Sequence, residues 1–423
     1  MANVVVVGGG FAGLSAAARL AKLRHQVTLL ETSQQLGGRL NGMTVGGRTW
    51  SLDLDTVTLP GVFRDLFRKS GRPLERVLDL TKTDGRRHVF KDKSVLDLPL
   101  GNRGDQHAAL VETFGEDEWS PWVDSWAEPW DLIRRTALDQ VFEGRAAVDR
   151  TMRKALRPRR SIATLAQKDL DDDRLRKLVL DPVRLAGQDR HATPGFVAVS
   201  HYVERSFGRW RFAGGLPALA AALETRLGER GVTIELGESA HELVLEAGRV
   251  RGVVTSRRTV PADIVVWCAP AWPAPLPPVT LMPVIPASRT LVALSADAPD
   301  LPDEILVHAN PPIRMWSGGD GLWTIEHRSG EDPLRALVRF GIDVRPYVDE
   351  RVDLNPTDVL GLGHAGWAWT GWTSAFELPG VAPAAGIHFA GAHAHPGATL
   401  EGIGMATAAI ADAIGPAPRQ TYS

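Results

Sequence analysis

Hydrophobic positions change period twice within the first thirty residues. Val4 to Val7 is an unbroken β-branched run, short enough for a strand buried on both faces. Leu14, Ala17, Ala18 and Ala21 then recur at helical spacing, and residues 26–30 return to a strand pattern ending at Glu31. Residues 43–60 alternate around Gly46-Gly47, which predicts a hairpin. Short runs between Glu75 and Leu98, around Asp84-Gly85, predict a second small sheet. Residues 105–190 are charged, rich in Trp and Leu and poor in glycine, a pattern for several helices that form a cap. Leu216, Leu219, Ala222, Leu223 and Leu227 share one face of a helix over 216–230. Strands are expected at 233–236, 242–245, 250–255 and 262–267. Seven prolines between 270 and 286 favour extended crossing segments over helix. Strands near 289–295, 304–308 and 322–326 follow, then a helix over 335–350. The chain closes with a strand at 387–390, a glycine-rich loop and a helix over 403–414.

At 423 residues the chain is long for one domain, given roughly 150 residues per unit. Lys plus Arg is 48 against 50 for Asp plus Glu, so no basic excess is available to neutralise a nucleic-acid backbone. The single cysteine, Cys268, excludes an intrachain disulfide and a cysteine-cluster metal site, and a reducing cytoplasm is the expected compartment. The start of the chain lacks a basic, leader-like segment, and no uninterrupted apolar run reaches the roughly 18 residues of a membrane span. Membrane association is left open but not indicated, and the oligomeric state is not readable.

The ordered series of strand, Gly8-x-Gly10-x-x-Gly13, helix, strand and Glu31 points to a dinucleotide. Gly8 permits the tight turn, Gly10 clears a path for the pyrophosphate, and Gly13 lets helix and strand approach. The amides of Phe11 and Ala12 open the helix, whose N-terminus favours anionic phosphate. Glu31, 18 residues beyond Gly13, is placed to accept hydrogen bonds from a ribose and to repel a 2′-phosphate. This fingerprint serves both NAD and FAD. Leu36-Gly37-Gly38-Arg39 decides between them, because Gly38 can lay backbone and Arg39 a guanidinium beside the pyrophosphate.

These motifs together resemble the FAD-binding start of the amine oxidase and phytoene desaturase group of flavoproteins. The tail is similar too: Gly391-Ala392-His393-Ala394-His395-Pro396-Gly397 resembles the C-terminal flavin segment of bacterial phytoene desaturases. The resemblance implies that Gly391, Ala392, Gly402 and Ile403 border the flavin, the last two opening the final helix. It places Asp55 and Thr56 beside the flavin, where the family has Gly-Pro, and Ala240 where the family's valine backbone meets adenine. Residues 202–216 resemble the strand and glycine turn before the family's central helix. His393 and Ala394 replace the usual Gly and Thr, which implies a bulkier, polar edge to the pocket.

The expected fold class is α/β, a Rossmann-like FAD-binding domain plus a mixed-sheet substrate domain with a helical cap. The FAD domain is assigned to 1–60, 205–270 and 386–423, and the substrate domain to 61–204 and 271–385, with the cap at 105–190. The expected activity is oxidation of a C–C or C–N bond of a largely apolar or aromatic small molecule, by hydride transfer to flavin. A flavin-dependent isomerase without net redox and a non-catalytic FAD-binding protein are the alternatives. His395 is the candidate for acid/base work, against a purely structural His-Pro-Gly turn. No metal is expected at His388, His393 and His395. Trp367, Trp369 and Trp372, with His393, are the candidate substrate wall, because aromatic faces suit a flat apolar or cationic ligand. Trp119, Trp122, Trp126 and Trp130, at spacings 3, 4 and 4, read instead as a helix-packing seam.

Overall fold

A computed structural model describes residues 1–156, 160–276, 283–364, 366–367, 384–394 and 399–418. Its organising element is a five-stranded parallel sheet. Across the sheet run Thr233–Leu236, Gln26–Glu31, Asn3–Val7, Ile264–Trp267 and Ile387–Phe389. Strands from both ends of the chain thus share one sheet. The chain leaves the first strand toward one side and returns on the other, so a crevice opens at the carboxyl ends of these strands.

The apolar run of the first strand serves two faces. Val4 and Val6 pack with Leu29 against the helix Phe11–Lys22, the helix Gly215–Glu229 and the closing helix Leu400–Ile414. Val5 and Val7 pack with Leu30, Val265 and Trp267 against Leu243, Val250, Val253 and Val260. Those last residues belong to a three-stranded antiparallel sheet, Ala240–Glu246, Arg249–Thr255 and Thr259–Pro261. Burial on both sides explains why the strand reads as continuous valine.

A second, seven-stranded mixed sheet carries Val348–Leu354, Ser288–Leu294, Leu322–His327, Ile313–Gly319, Glu304–Val307, Gly85–Val89 and Val95–Pro99 in that spatial order. Alternation sorts its faces. Val292, Ile305, Ile313, Met315 and Ile325 pack with Leu334 and Leu337 of the short helix Pro333–Val338. The opposite face mixes apolar side chains such as Leu291 and Ala293 with a charged row described with the site below. Cap helices, from Arg103–Phe114 through Val199–Phe207, enclose their own core. Trp119, Trp122 and Trp126 are buried there in ring contact, the centroids 5.1 and 6.0 Å apart, across two short helices and not one.

Three segments sit differently from what their sequence pattern suggests. The helix Pro60–Ser70 and Leu74 join the core of the parallel sheet through Phe63, Leu66 and Phe67. The expected hairpin, Met43–Val45 with Arg48–Trp50, leans the other way: Trp50 packs on Leu291 and Ala293, and its indole N–H donates to the Val292 carbonyl at 3.1 Å. Residues 335–350 are not one helix. The helix stops at Val338, Gly341 adopts a positive φ of 84°, and Val348–Leu354 is a strand edge-paired to Ser288–Leu294. Among the described residues, no helix is long and apolar enough to cross a membrane.

Candidate flavin site

The glycines of the first turn do three different jobs. Gly8 sits at φ 99° against Cys268 and Ala269, where a Cβ would lie 3.1 Å from the Ala269 nitrogen. At Gly13 a Cβ would be 1.8 Å from the Gly8 carbonyl oxygen, so only glycine permits this helix-to-strand packing. At Gly10 a Cβ would meet nothing within 4 Å. Gly10 is also the N-cap of the helix Phe11–Lys22, and no side chain caps that helix start. An uncapped helix N-terminus facing open space is a ready anion cradle.

The second loop lies directly on the first. The Gly37 N–H donates to the Gly9 carbonyl at 2.9 Å, Gly37 pairs with Gly10 in a parallel bridge, and a Cβ on Gly38 would stand 3.2 Å from the Gly10 Cα. Glu31 holds the same turn from beneath. Its carboxylate accepts from the Gly9 N–H at 2.5 Å and from the Ser33 N–H at 2.8 Å, so it braces the loop in addition to facing the crevice end expected for a ribose. The Gly237 and Glu238 amides donate to the Ser33 and Glu31 carbonyls, both at 2.9 Å, which brings the strand start at Ala240 to this end of the crevice. These features fit a dinucleotide lying across Gly10 and Gly38.

Arg39 does not project freely from the loop. Its guanidinium, 46% exposed, pairs with Asp53 at 2.8 Å. Asp53 also accepts from His364 Nδ1 at 3.1 Å and lies 3.8 Å from Arg289. Burial alone would raise the Asp53 carboxyl, but Arg39, His364 and Arg289 outweigh it and hold it well below the usual carboxylate range. Asp55 runs the other way. Buried desolvation dominates and raises its carboxyl despite Arg211, which donates to it at 3.1 Å. The Thr56 hydroxyl accepts from Arg209 at 2.7 Å.

The closing helix completes the surround. Glu401, in its first turn, accepts from the Thr58 N–H, and a Cβ on Gly404 would lie 2.6 Å from Val62. The Gly402 N–H is taken by the Thr399 hydroxyl at 3.2 Å and the Ile403 N–H by the Thr399 carbonyl at 2.9 Å. Thr399 therefore caps the start of this helix. Gly391, at φ 124°, lies under the His393 ring, with Ala392 beside it on the parallel-sheet core. His393 is buried, which pushes its imidazole down to about 4, so it is a neutral ring at physiological pH. Trp367 pairs with Pro283 in a short antiparallel bridge. His395, Trp369 and Trp372 lie outside the described residues.

The charged face of the seven-stranded sheet was not anticipated. Arg289, Glu326 and Arg314 stand opposite one another on three adjacent strands. Glu304 and Arg86 continue the row, paired at 2.6 Å with both side chains 4% exposed. Glu204 of the cap accepts from Arg209 at 2.9 Å and lies 3.5 Å from Arg86. Burial alone would raise the Glu204 carboxyl, but Arg209, Arg86 and His201 hold it well below its ordinary value. A continuous series of ion pairs thus runs from Arg39, beside the glycine loops, to the cap. Its members come from separate elements, and each strand contributes only one sign of charge, so no local pattern marks the row.

Comparison with known proteins agrees with this geometry. A zeta-carotene-forming phytoene desaturase of Myxococcus xanthus is 30% identical over 277 residues, covering 62% of this chain and 52% of the relative. A 4,4'-diapolycopene oxygenase of Methylomonas sp is 28% identical over 292 residues, covering 62% and 55%. The match thus spans about half the length of these curated relatives. Cyclohexylamine oxidase from Brevibacterium oxydans IH-35A shares the fold over 98% of this chain and 99% of its own, with a TM-score of 0.66 at 14% identity. The sequence profile of flavin-containing amine oxidoreductases matches residues 11–296, and this chain belongs to that family.

Proposed function

We propose that this protein is an FAD-dependent oxidoreductase that dehydrogenates a C–C or C–N bond of a small, largely apolar or aromatic molecule. The observation that carries the reading is the open, uncapped helix start at Gly10 with Gly37 and Gly38 laid against it. The family relation and the curated desaturase and oxygenase relatives support flavin-dependent redox chemistry on apolar substrates. Glu31 at the end of the second strand supports an adenosine dinucleotide over a bare flavin mononucleotide.

When bound, FAD supplies the two-electron acceptor. The chain's residues do the rest. Helix amides and Gly38 hold phosphate, and Asp53 fixes the position of the Arg39 guanidinium at the loop. Glu401 and Gly404 draw the closing helix onto residues 58–62, which closes the crevice against water. His393, kept neutral by burial, adds no charge where an apolar substrate is desolvated. The one free cysteine supports a reducing, cytoplasmic setting.

Anaerobic titration of the FAD-loaded protein with a panel of polyenes and amines tests this. Loss of the oxidised flavin absorbance with one class is the expected result. Full FAD binding with an unchanged absorbance across the whole panel would overturn the redox reading.

A further inference from the structure

Away from the flavin crevice, a hydrogen-bonded series of three side chains joins the cap to the seven-stranded sheet. His308 Nδ1 lies 2.9 Å from the Asp181 carboxylate, and His308 Nε2 lies 3.0 Å from His88 Nδ1. Asp181 and both imidazoles are 1% exposed. Phe90 stacks on the His308 ring at 4.5 Å and fixes its plane. Asp181 comes from the cap helix Asp173–Leu185, whereas His88 lies in the strand Gly85–Val89 and His308 just follows Glu304–Val307.

The partners determine the tautomers. A carboxylate only accepts, so His308 carries its proton on Nδ1. Burial holds both imidazoles below their ordinary value, which keeps them neutral. His308 Nε2 is then a bare acceptor, His88 must donate from Nδ1, and His88 Nε2 is left as a bare acceptor at the far end. That nitrogen has no hydrogen-bond partner among the described residues.

It faces a chamber of about 10 Å³, lined by Arg86, His88, Gln106, Trp119, His201 and Glu204 among others. Two more buried atoms of residues lining this chamber make no short hydrogen bond: Gln106 Oε1, and Arg86 Nη2, whose ion-pair partner Glu204 lies 3.5 Å away. The Gln106 amide is oriented by its own nitrogen, which donates to the Pro99 carbonyl at 2.7 Å. Arg86 is oriented by Glu304 at 2.6 Å. One donor and two acceptors thus belong to side chains that line a space the size of one water, beside the Glu204 carboxylate and His201. Water matches the set: it accepts from Arg86 and donates to Gln106 Oε1 and His88 Nε2. A substrate hydroxyl has one proton and would leave one acceptor unmet.

We propose that this chamber is a specific site for a single internal water, which ends the Asp181–His308–His88 relay and fastens the cap helix Arg103–Phe114 to the substrate sheet. Leaving the buried acceptors Gln106 Oε1 and His88 Nε2 dry is costly, and a water gives each a donor. The site also gives the substrate domain a neutral proton acceptor backed by a carboxylate, in a place separate from the flavin crevice.

Two measurements on the full-length protein test this. The expected result in a high-resolution crystal structure is one ordered water within hydrogen-bond distance of Arg86 Nη2, Gln106 Oε1 and His88 Nε2. In ¹⁵N-histidine NMR, His88 is expected as the Nδ1–H tautomer with an unprotonated Nε2. An empty chamber, or His88 protonated on Nε2, would overturn the assignment. Gln106→Leu removes one acceptor, and is expected to lower the water's occupancy and shift the His88 Nε2 resonance. Full occupancy and an unshifted resonance in that variant would equally overturn it.

Discussion

The hydroxyls of Ser15 and Thr407, 392 positions apart in the chain, share a buried hydrogen bond of 2.7 Å. Ser15 lies on the first helix and Thr407 on the closing one, so this bond records how the two ends of the sequence come together. Thr407 also donates to the Gly404 carbonyl at 3.0 Å, which makes Ser15 the donor of the shared bond. The two partners are therefore unequal.

Thr407→Val should leave the Ser15 hydroxyl unmet and cost about 1–3 kcal/mol, whereas Ser15→Ala leaves Thr407 satisfied and should cost about 1 kcal/mol or less. Urea denaturation of both variants checks the order. Equal losses would contradict this donor assignment.

Gly13→Ala should be far more damaging to the fold than Gly10→Ala. A Cβ at position 13 would collide with the Gly8 carbonyl at 1.8 Å, and one at position 10 enters open space. Thermal unfolding without added cofactor separates the two. The account expects a large fall in Tm, or insoluble protein, only for Gly13→Ala.

Asp53→Asn tests the link between loop and sheet. The folded carboxyl is held well below its ordinary value, so its contribution to stability is present above roughly pH 3.9, the unfolded value, and is lost as pH falls from there toward the folded value. The variant should be less stable than wild type at neutral pH, and the gap should narrow below about pH 4. It should also hold flavin more weakly, because Arg39 loses its anchor. Stability curves from pH 7 to 3 and a flavin-release assay read both effects.

Buried histidines should make the protein acid-labile in a second window. Burial pushes both His201 and His393 down to about 4, and at His201 the opposing pull of Glu204 does not compensate. Each group's contribution is present above its unfolded value, about 6.5, and is lost as pH falls through about 4. Each titrating group adds a slope of up to ~1.4 kcal/mol per pH unit. His393→Gln should flatten its share of the loss between pH 6.5 and 4 in urea midpoints, and an unchanged slope would contradict the buried placement.

How far the sequence carried this reading depended on how local the signal was. Gly8, Gly10 and Gly13 lie within one turn, and their spacing with Glu31 needed no distant partner to be understood. Alternation likewise identified the strands around Thr290, Ile305 and Thr324. The helix expected over 335–350 failed because Leu337 and Val344 have plausible helical spacing, while Gly341 and the edge pairing of Val348–Leu354 decide the outcome. Arg86 and Glu304 are 218 positions apart, and no sequence period announces such a pair. The pairing of Arg39 with Asp53 was not legible because the intervening hairpin brings Asp53 back to the loop. The His88–His308–Asp181 relay was missed for the same reason.

The central claim is that Gly10 and Gly38, brought together by the pairing of Gly37 with Gly9 and Gly10, form the bed of one flavin dinucleotide. Purified protein incubated with FAD and desalted should retain about one flavin per chain and show a yellow spectrum, and Gly10→Val should fold but retain none. A colourless wild-type protein that takes up no FAD, or a Gly10→Val variant that keeps a full complement, would contradict the account.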